Sequence, residues 1–412
     1  MRYFKAQASI ALLFLLAAGS LQATPKVEWR QNFASDHRRN SNREGRFFWT
    51  ENIIPTRDDG ALLIGQYIVS SRDSATAALK LDSQGNIEWF ADPMKPRGKT
   101  LKRGMNGFQH SNGDYILTGT YEMSGGYWVA CLSSEGKVKW DTTHRWEGFS
   151  YSLIEGLNGE IVAANDTATG LRIRKYQPGG RIVFSHIYPP VRNKPFEWHQ
   201  NLSMANERLS MICTRNGVPQ YCSFLPFLES TPIDMDPSNN ERFSLVRLSD
   251  GGALFMDGEE GYDFVKDEPW SFSLIKRWES PGVLRYEKHI MLGDRGNILM
   301  KGAFDRPDRS LVLFGTADNG PQEYFFAILD PNGDTLMAAF YPTEMSSEFL
   351  MKATRARDGG VFFMGSNRIS GVTWVIKTAP LPVMETINRS FTEKMKLKIK
   401  GKDTDPAYKL LE

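Results

Sequence analysis

The chain repeats one short turn along most of its length. "RDDGALLIG", "SNGDYILTG", "GLNGEIVAA", "SDGGALFMD" and "RDGGVFFMG" each set an Asp-Gly or Asn-Gly pair before an apolar run, with glycines at Gly60, Gly113, Gly159, Gly251 and Gly359. A glycine turn leading into such a run is a hairpin signal. The intervals are 53, 46, 92 and 108 residues, the last two near double steps. Degenerate copies, "ANERLSMIC" around Glu207 and "PDRSLVLFG" around Arg309, fill those gaps and make seven.

A second signature alternates with the first. "LDSQGNIEW" returns as "LSSEGKVKW", "YQPGGRIVF", "WESPGVLRY" and "LDPNGDTLM", with glycines at Gly85, Gly136, Gly180, Gly282 and Gly333. Two hairpin turns per unit mean four strands in roughly 50 residues, the pattern of a propeller blade. Helical periodicity is nearly absent. A lone four-stranded sheet leaves a face uncovered, and radial packing of sheets removes that problem. The expected fold is therefore all-β, a seven-bladed β-propeller of four-stranded blades over residues 24–384. The seventh unit lacks an outer strand after "TWVIKT", while "PKVEW" near the start matches "GNIEW" and "GKVKW". Residues 26–33 are thus expected to cross the seam and complete the last blade.

The paired signatures resemble those of bacterial exported propellers of the PQQ-like, quinoprotein-like repeat group. The likeness covers most of residues 26–380 and rests on structural turns. It implies the fold. Quinoprotein enzymes of that group imply a cofactor site, but the adjacent cysteine pair often found over the quinone is missing here. No cofactor is expected, and a quinone-dependent dehydrogenase ranks behind the other readings.

The first 23 residues read as a secretory signal peptide: Arg2 and Lys5, an apolar run from Ile10 to Ala18, then small residues, with cleavage after Ser20 or Ala23. The formal charge of the 412-residue chain is +2, and losing Arg2 and Lys5 brings the mature chain near zero. That argues against nucleic acid as a partner. No later segment is apolar enough to span a bilayer. The expectation is an exported, periplasmic or extracellular monomer. Its tail, residues 385–412, contains Lys394, Lys396, Lys398, Lys400 and Lys402 at strand period. That pattern suits either an edge strand guarded by lysines or a contact with an acidic partner.

Export draws attention to the cysteines. Cys213 and Cys222 flank an Asn-Gly turn in "MICTRNGVPQYCSF" and are a candidate disulfide across a hairpin. Cys131, among apolar neighbours, reads as a buried free thiol.

In such a propeller the turns joining strands one to two and three to four share one face. The blade-to-blade links and the two-to-three loops share the other. The long, charged and aromatic segments fall on the second face, so function is expected there. Basic residues gather early, at Arg97, Lys99, Lys102 and Arg103. Acidic ones gather opposite, with Glu259, Glu260 and Asp263 in a fifth-blade loop. Either these are solvated loops or they form a bipolar rim that orients a partner. "HRWEG" and "FEWHQ" both combine Trp, Glu and His. Trp146 and Trp198 suit sugar stacking or inter-blade packing, and Glu147 and Glu197 suit an acid and base pair.

Metal signals are poor: Asp234 and Asp236 open a calcium-like loop, but Asn239 and Leu245 stand where glycine and glutamate are needed. The leading reading is a non-enzymatic binding or scaffold propeller for a protein or polysaccharide. The alternative is a carbohydrate-active enzyme, a glycoside hydrolase or lyase, with its site in the central mouth.

Overall fold

The computed structural model describes residues 25–33, 49–70, 73–93, 102–121, 125–144, 147, 150–156, 158–167, 170–188, 197–198, 203–205, 208–215, 218–224, 233–234, 244–248, 252–263, 268–280, 283–290, 297–318, 322–343, 348–367 and 372–382. They form seven antiparallel sheets in chain order. Blade 1 comprises Trp49–Pro55, Ala61–Ser70, Asp73–Leu81 and Ile87–Ala91. Blade 2 comprises Lys102–Gln109, Tyr115–Tyr121, Gly126–Leu132 and Val138–His144, and blade 3 Ser150–Glu155, Ile161–Thr167, Gly170–Tyr176 and Ile182–Tyr188. Blade 4 orders Glu197–Trp198, Arg208–Arg215, Val218–Phe224 and Ile233–Asp234, with Ser203–Ala205 also pairing to Arg208–Arg215.

Blade 5 contains Ser244–Arg247, Ala253–Asp263, Glu268–Ser280 and Val283–Ile290; blade 6 contains Asn297–Asp305, Leu311–Asp318, Gln322–Leu329 and Thr335–Pro342. Blade 7 takes Glu348–Arg355, Val361–Asn367 and Thr373–Thr378 from the end of the chain and its outer strand, Val27–Phe33, from the beginning. Trp29 pairs with Lys377 and Phe33 with Thr373, so the seam closes as the repeat pattern requires.

In blades 1, 2, 3, 5, 6 and 7 the hairpin joining the first two strands turns in five residues. In blade 1, Thr56 N–H donates to Gly60 O and Asp59 N–H to Thr56 O. The turn needs one left-handed residue. Gly113, Gly159 and Gly359 supply it, but in blade 1 it is Asp59 (φ 60°) and in blade 6 Arg309 (φ 63°). Gly60 is a glycine for a different reason: a Cβ there would meet Leu81 O at 2.1 Å.

The second signature serves two purposes at once. Its glycine holds the outer turn, and its tryptophan covers the corresponding glycine of the next blade. Trp29 Nε1 donates to Ser83 O at 2.9 Å, Trp89 to Ser134 O at 2.9 Å and Trp140 to Pro178 O at 2.7 Å. Cβ atoms on Gly85, Gly136 and Gly180 would lie within 2.8 Å, 2.6 Å and 2.7 Å of those rings. Tyr286 covers Gly333 in the same manner.

The core is divided among the gaps between blades. Ile54 and Ile64 meet Leu117 and Trp128, Tyr127 and Val129 meet Ile161 and Tyr176, and Tyr324 and Phe326 meet Phe363 and Trp374. Middle strands bury both faces, which explains their unbroken apolar runs: every residue of Gly126–Leu132 is buried. Cys131 lies in that strand as a free buried thiol, pushed up to about 12 chiefly by burial and so unreactive.

Candidate binding face

The two faces of the ring are built differently. On the tight-turn face, neighbouring blades are joined directly. Arg57 N–H donates to Gln109 Oε1 at 2.8 Å and its guanidinium to Ser111 O at 2.7 Å. Ser111 N–H donates to Glu155 Oε2 at 2.8 Å, and His110 Nε2 bonds Gly159 O at 2.8 Å. Arg306 closes over the end of blade 7 by donating to Pro382 O at 2.9 Å. The opposite face carries the links between blades.

Arg97, Lys99 and Trp146 lie outside the described residues, as do residues 1–23, where a signal peptide was expected, and the lysine-rich tail. Lys102 and Arg103, expected in a link, belong instead to the inner strand of blade 2, paired with Tyr121 and Thr120. Glu197 and Trp198 form the short inner strand of blade 4, opposite Thr214 and Cys213. Cys213 stands opposite Gln220 and Cys222 opposite Met211, so the two cysteines share a hairpin face but sit diagonally. Diagonal Cα atoms are typically about 7–8 Å apart, beyond the usual disulfide span. The cysteine side chains themselves are outside the described set.

The acidic stretch of blade 5 is not a loop. Ala253–Asp263 and Glu268–Ser280 stay paired out to Asp263 opposite Glu268. Among the described residues their flanking strands pair only as far as Ser244 opposite Met256 and Ile290 opposite Ser273. The five pairs from Glu259–Phe272 to Asp263–Glu268 therefore project as a two-stranded ribbon, about 17 Å long at ~3.4 Å per residue. Glutamates and glycines have low strand propensity and made this segment read as a loop. The register sets Phe272 opposite Glu259 and Trp270 opposite Gly261, aromatic placements that favour pairing.

Glu147 is held in the gap between blades 2 and 3. Its Oε2 lies 2.7 Å from Arg172 Nη1, 2.5 Å from Arg174 Nη1 and 3.5 Å from His144 Nδ1. Arg174 Nη1 also donates to Tyr127 OH at 2.5 Å; Tyr176 OH meets His144 Nε2 at 3.0 Å and Tyr127 OH at 3.3 Å. Burial alone would raise the Glu147 carboxyl, but Arg174 and Arg172 hold it below the usual carboxylate range. Burial and then Arg174 push His144 down to about 4, so the ring is neutral at pH 7. Burial raises both tyrosines, keeping them protonated. These partners lie on third and fourth strands, away from the inner strands around the axis. Glu147 is a fixed carboxylate there and does not fit the expected role of acid in the central mouth.

Around the axis, the inner strand of blade 1 packs beside those of blades 2 and 7, and the inner strand of blade 6 beside those of blades 5 and 7. The same bulge recurs in them, between Thr50 and Asn52, Gly104 and Asn106, Ser150 and Ser152, Met300 and Gly302, and Leu350 and Lys352. The residues after the bulge therefore form one level around the axis. Asn52 Nδ2 donates to Asn106 Oδ1 at 2.9 Å across it. Lys352 occupies the same level in blade 7, and burial pushes its amine down to about 8. No described carboxylate pairs with it. Sequence reasoning missed Lys352; its signal is a lysine where the equivalent residues are Asn, Asn, Ser and Gly. No cluster of potential metal ligands occurs among the described residues, and no described helix is long and apolar enough to cross a membrane.

No family model matches the sequence, and no curated protein does. The solved structures similar to it are propellers. A virginiamycin B lyase from Staphylococcus aureus superposes with a TM-score of 0.52 at 11% identity, covering 85% of this chain and 99% of its own. The WD40 domain of Neurospora crassa Pan2 gives 0.52 at 10% identity over 88% of this chain and 99% of that one. The Dos1 propeller gives 0.51 at 11% identity over 86% and 95%. At these identities the likeness establishes the β-propeller fold.

Proposed function

We propose that this chain is an exported, non-enzymatic propeller of the PQQ-like repeat group that engages a protein or polysaccharide partner through its link-bearing face. The observation that carries this reading is the blade-5 ribbon. It projects beyond its flanking strands, with backbone edges open among the described residues and Glu259, Glu260 and Asp263 along it. Open ribbon edges pair readily with extended chains, and acidic side chains restrict which chains. The opposite charge is proposed to come from Lys102 and Arg103, at the start of the inner strand of blade 2, together with Arg97 and Lys99, which precede them in sequence. The aromatic residues proposed to contact the partner are Trp146 and Trp198, the latter in the inner strand of blade 4.

The test is replacement of Glu259, Glu260 and Asp263 together by lysine, followed by pull-down from the exported fraction. Stability should change by less than ~0.5 kcal/mol per site, while partner capture is lost and the wild-type interaction weakens with salt. Identical captures from both proteins at low and high salt would make the ribbon mere solvated surface.

One observation favours the second reading, a carbohydrate-active enzyme. The Lys352 amine, with no carboxylate partner among the described residues and a pKa lowered by burial, is suited to proton abstraction, as a lyase requires. Lys352→Met should then abolish release of unsaturated ends from acidic polysaccharides. Equal release from both proteins, or none from either, removes this reading.

A further inference from the structure

Among the described side chains, the cluster around Glu147 contains more positive than negative charge. Arg172 and Arg174 face one carboxylate, Glu147, whose ion-pair distances to them, 2.7 Å and 2.5 Å, both run to Oε2. His144 adds no charge at neutral pH. Among the described side chains of this cluster, one guanidinium charge is left without a counter-charge. Arg174 is buried and its Nε has no hydrogen-bond partner. The cluster also opens in one direction: side-chain exposure rises from 9% at Arg174 to 17% at Arg172 and 31% at Glu147. Glu147 sits in the link between blades, tethered through its carbonyl by Asn165 Nδ2 at 2.6 Å. The most exposed member is therefore the one that supplies the carboxylate.

A guanidinium fork matches a planar carboxylate through two parallel bonds. Glu147 does not complete that match with either arginine. We infer that this notch is a carboxylate receptor in which Glu147 is a resident placeholder, and that a carboxylate of a ligand takes its place or joins it against Arg172 and Arg174. The Tyr127 hydroxyl, already within reach of Arg174, stands beside the bound group. A carboxylate can come from a uronate sugar or from an acidic peptide, and the chemistry of the notch is the same for both. The inference rests on the binding reading for its biological use but not for its chemistry.

The test uses the mature chain as wild type, Glu147→Gln and Arg172→Met, titrated with D-glucuronate and, separately, with N-acetyl-L-glutamate. Sodium chloride at matched ionic strength is the control. A ligand that binds only the native state raises the melting temperature saturably. The wild type should show such a rise beyond that in chloride, and the better of the two probes identifies the source. Glu147→Gln, freed of its internal competitor, should saturate at a concentration at least tenfold lower; Arg172→Met should show no rise beyond chloride.

If Glu147→Gln does not fold alone, recovery of its native near-ultraviolet signal in either carboxylate but not in chloride is the same positive result. The inference is overturned if wild type and Glu147→Gln respond to carboxylate only as they do to chloride, or if Arg172→Met responds like wild type. That outcome would leave the ribbon pull-down untouched, so the two readings fail separately.

Discussion

Two inter-blade gaps use the same residue types with different results. Between blades 6 and 7, Glu348 meets Arg30 through Oε1 at 2.6 Å and accepts from Tyr324 OH through Oε2 at 2.9 Å. The Arg30 guanidinium lies 5.6 Å from the Trp374 ring centroid, and Tyr324 stacks on Trp374 at 4.5 Å. Both carboxylate oxygens are engaged, and Glu348 is 3% exposed. Between blades 2 and 3 a half-exposed carboxylate reaches two guanidiniums through one oxygen. The first arrangement is closed and saturated, as a seam joining the two ends of a chain requires. The second is open with capacity to spare. Residue composition alone does not separate a staple from a receptor; the number of engaged oxygens and the exposure of the carboxylate do.

The largest expected effect breaks the closed gap outright. A truncated protein beginning at Arg46 loses Val27–Phe33, and with it Arg30 and the strand covering Thr373–Thr378. Taking Arg30 away from the buried Glu348 carboxylate costs ~3–5 kcal/mol, and the bared edge should recruit other chains. Calorimetry should show a much lower melting temperature, and sedimentation should show oligomers. An unchanged melting temperature with a monomer would disprove closure at this seam.

A milder intervention compares the gaps directly. Glu348→Ala should lower stability in urea denaturation by ~3–5 kcal/mol, because Arg30 and Tyr324 lose a buried partner together. Glu147→Gln should cost less, ~1–2 kcal/mol, since water reaches that side chain. Equal losses would erase the distinction.

The smallest effect depends on pH. His144, held near 4 in the folded chain against an ordinary 6.5, takes up a proton in the unfolded state first. Its contribution is complete above about pH 6.5 and is lost as pH falls toward 4, with a ceiling of ~3 kcal/mol at ~1.4 kcal/mol per pH unit. Glu147, also held low, adds to this loss at more acidic pH. Denaturation of His144→Gln between pH 7 and pH 4.5 should show a flatter decline than wild type. Parallel curves would mean the imidazole is not buried in this gap.

The fold was legible because each turn glycine has a steric reason that survives in one letter. Gly85, Gly136 and Gly180 meet both a left-handed φ and an indole from the preceding blade. The aromatic four residues after each such glycine, Trp89 or Trp140, announced the outer strand. Charge was harder to read. The ribbon was hidden because Glu259, Glu260 and Gly261 look like loop residues until the register to Trp270 and Phe272 is known. The notch was hidden because burial of a guanidinium leaves no mark on the sequence by itself. A comparative signal existed: third strands read "AALKL", "WVACL" and "WVIKT", and only in "LRIRKY" do two arginines interrupt the apolar run. Lys80 and Lys377 in those strands are explained by Asp58 and Asp358 in their own blades' turns, at 2.7 Å and 2.6 Å. Arg172 and Arg174 have no such local acid in the motif, so their partner had to come from a link.

The seam also sets a timetable. Arg30 and Glu348 stand 318 positions apart in the chain. At ~5–20 residues per second, translation separates their appearance by roughly 15–65 s. During that wait Val27–Phe33 has no strand to pair with, and Trp29 covers a turn in a blade whose ring is still open. Individual hairpins form in microseconds, so blades can mature in order while the circle cannot. The first strand to be synthesised is one of the last to be secured. A long-range closure of this kind makes ring completion a single late event, and any factor that shields an exposed strand edge during synthesis would act on this segment first.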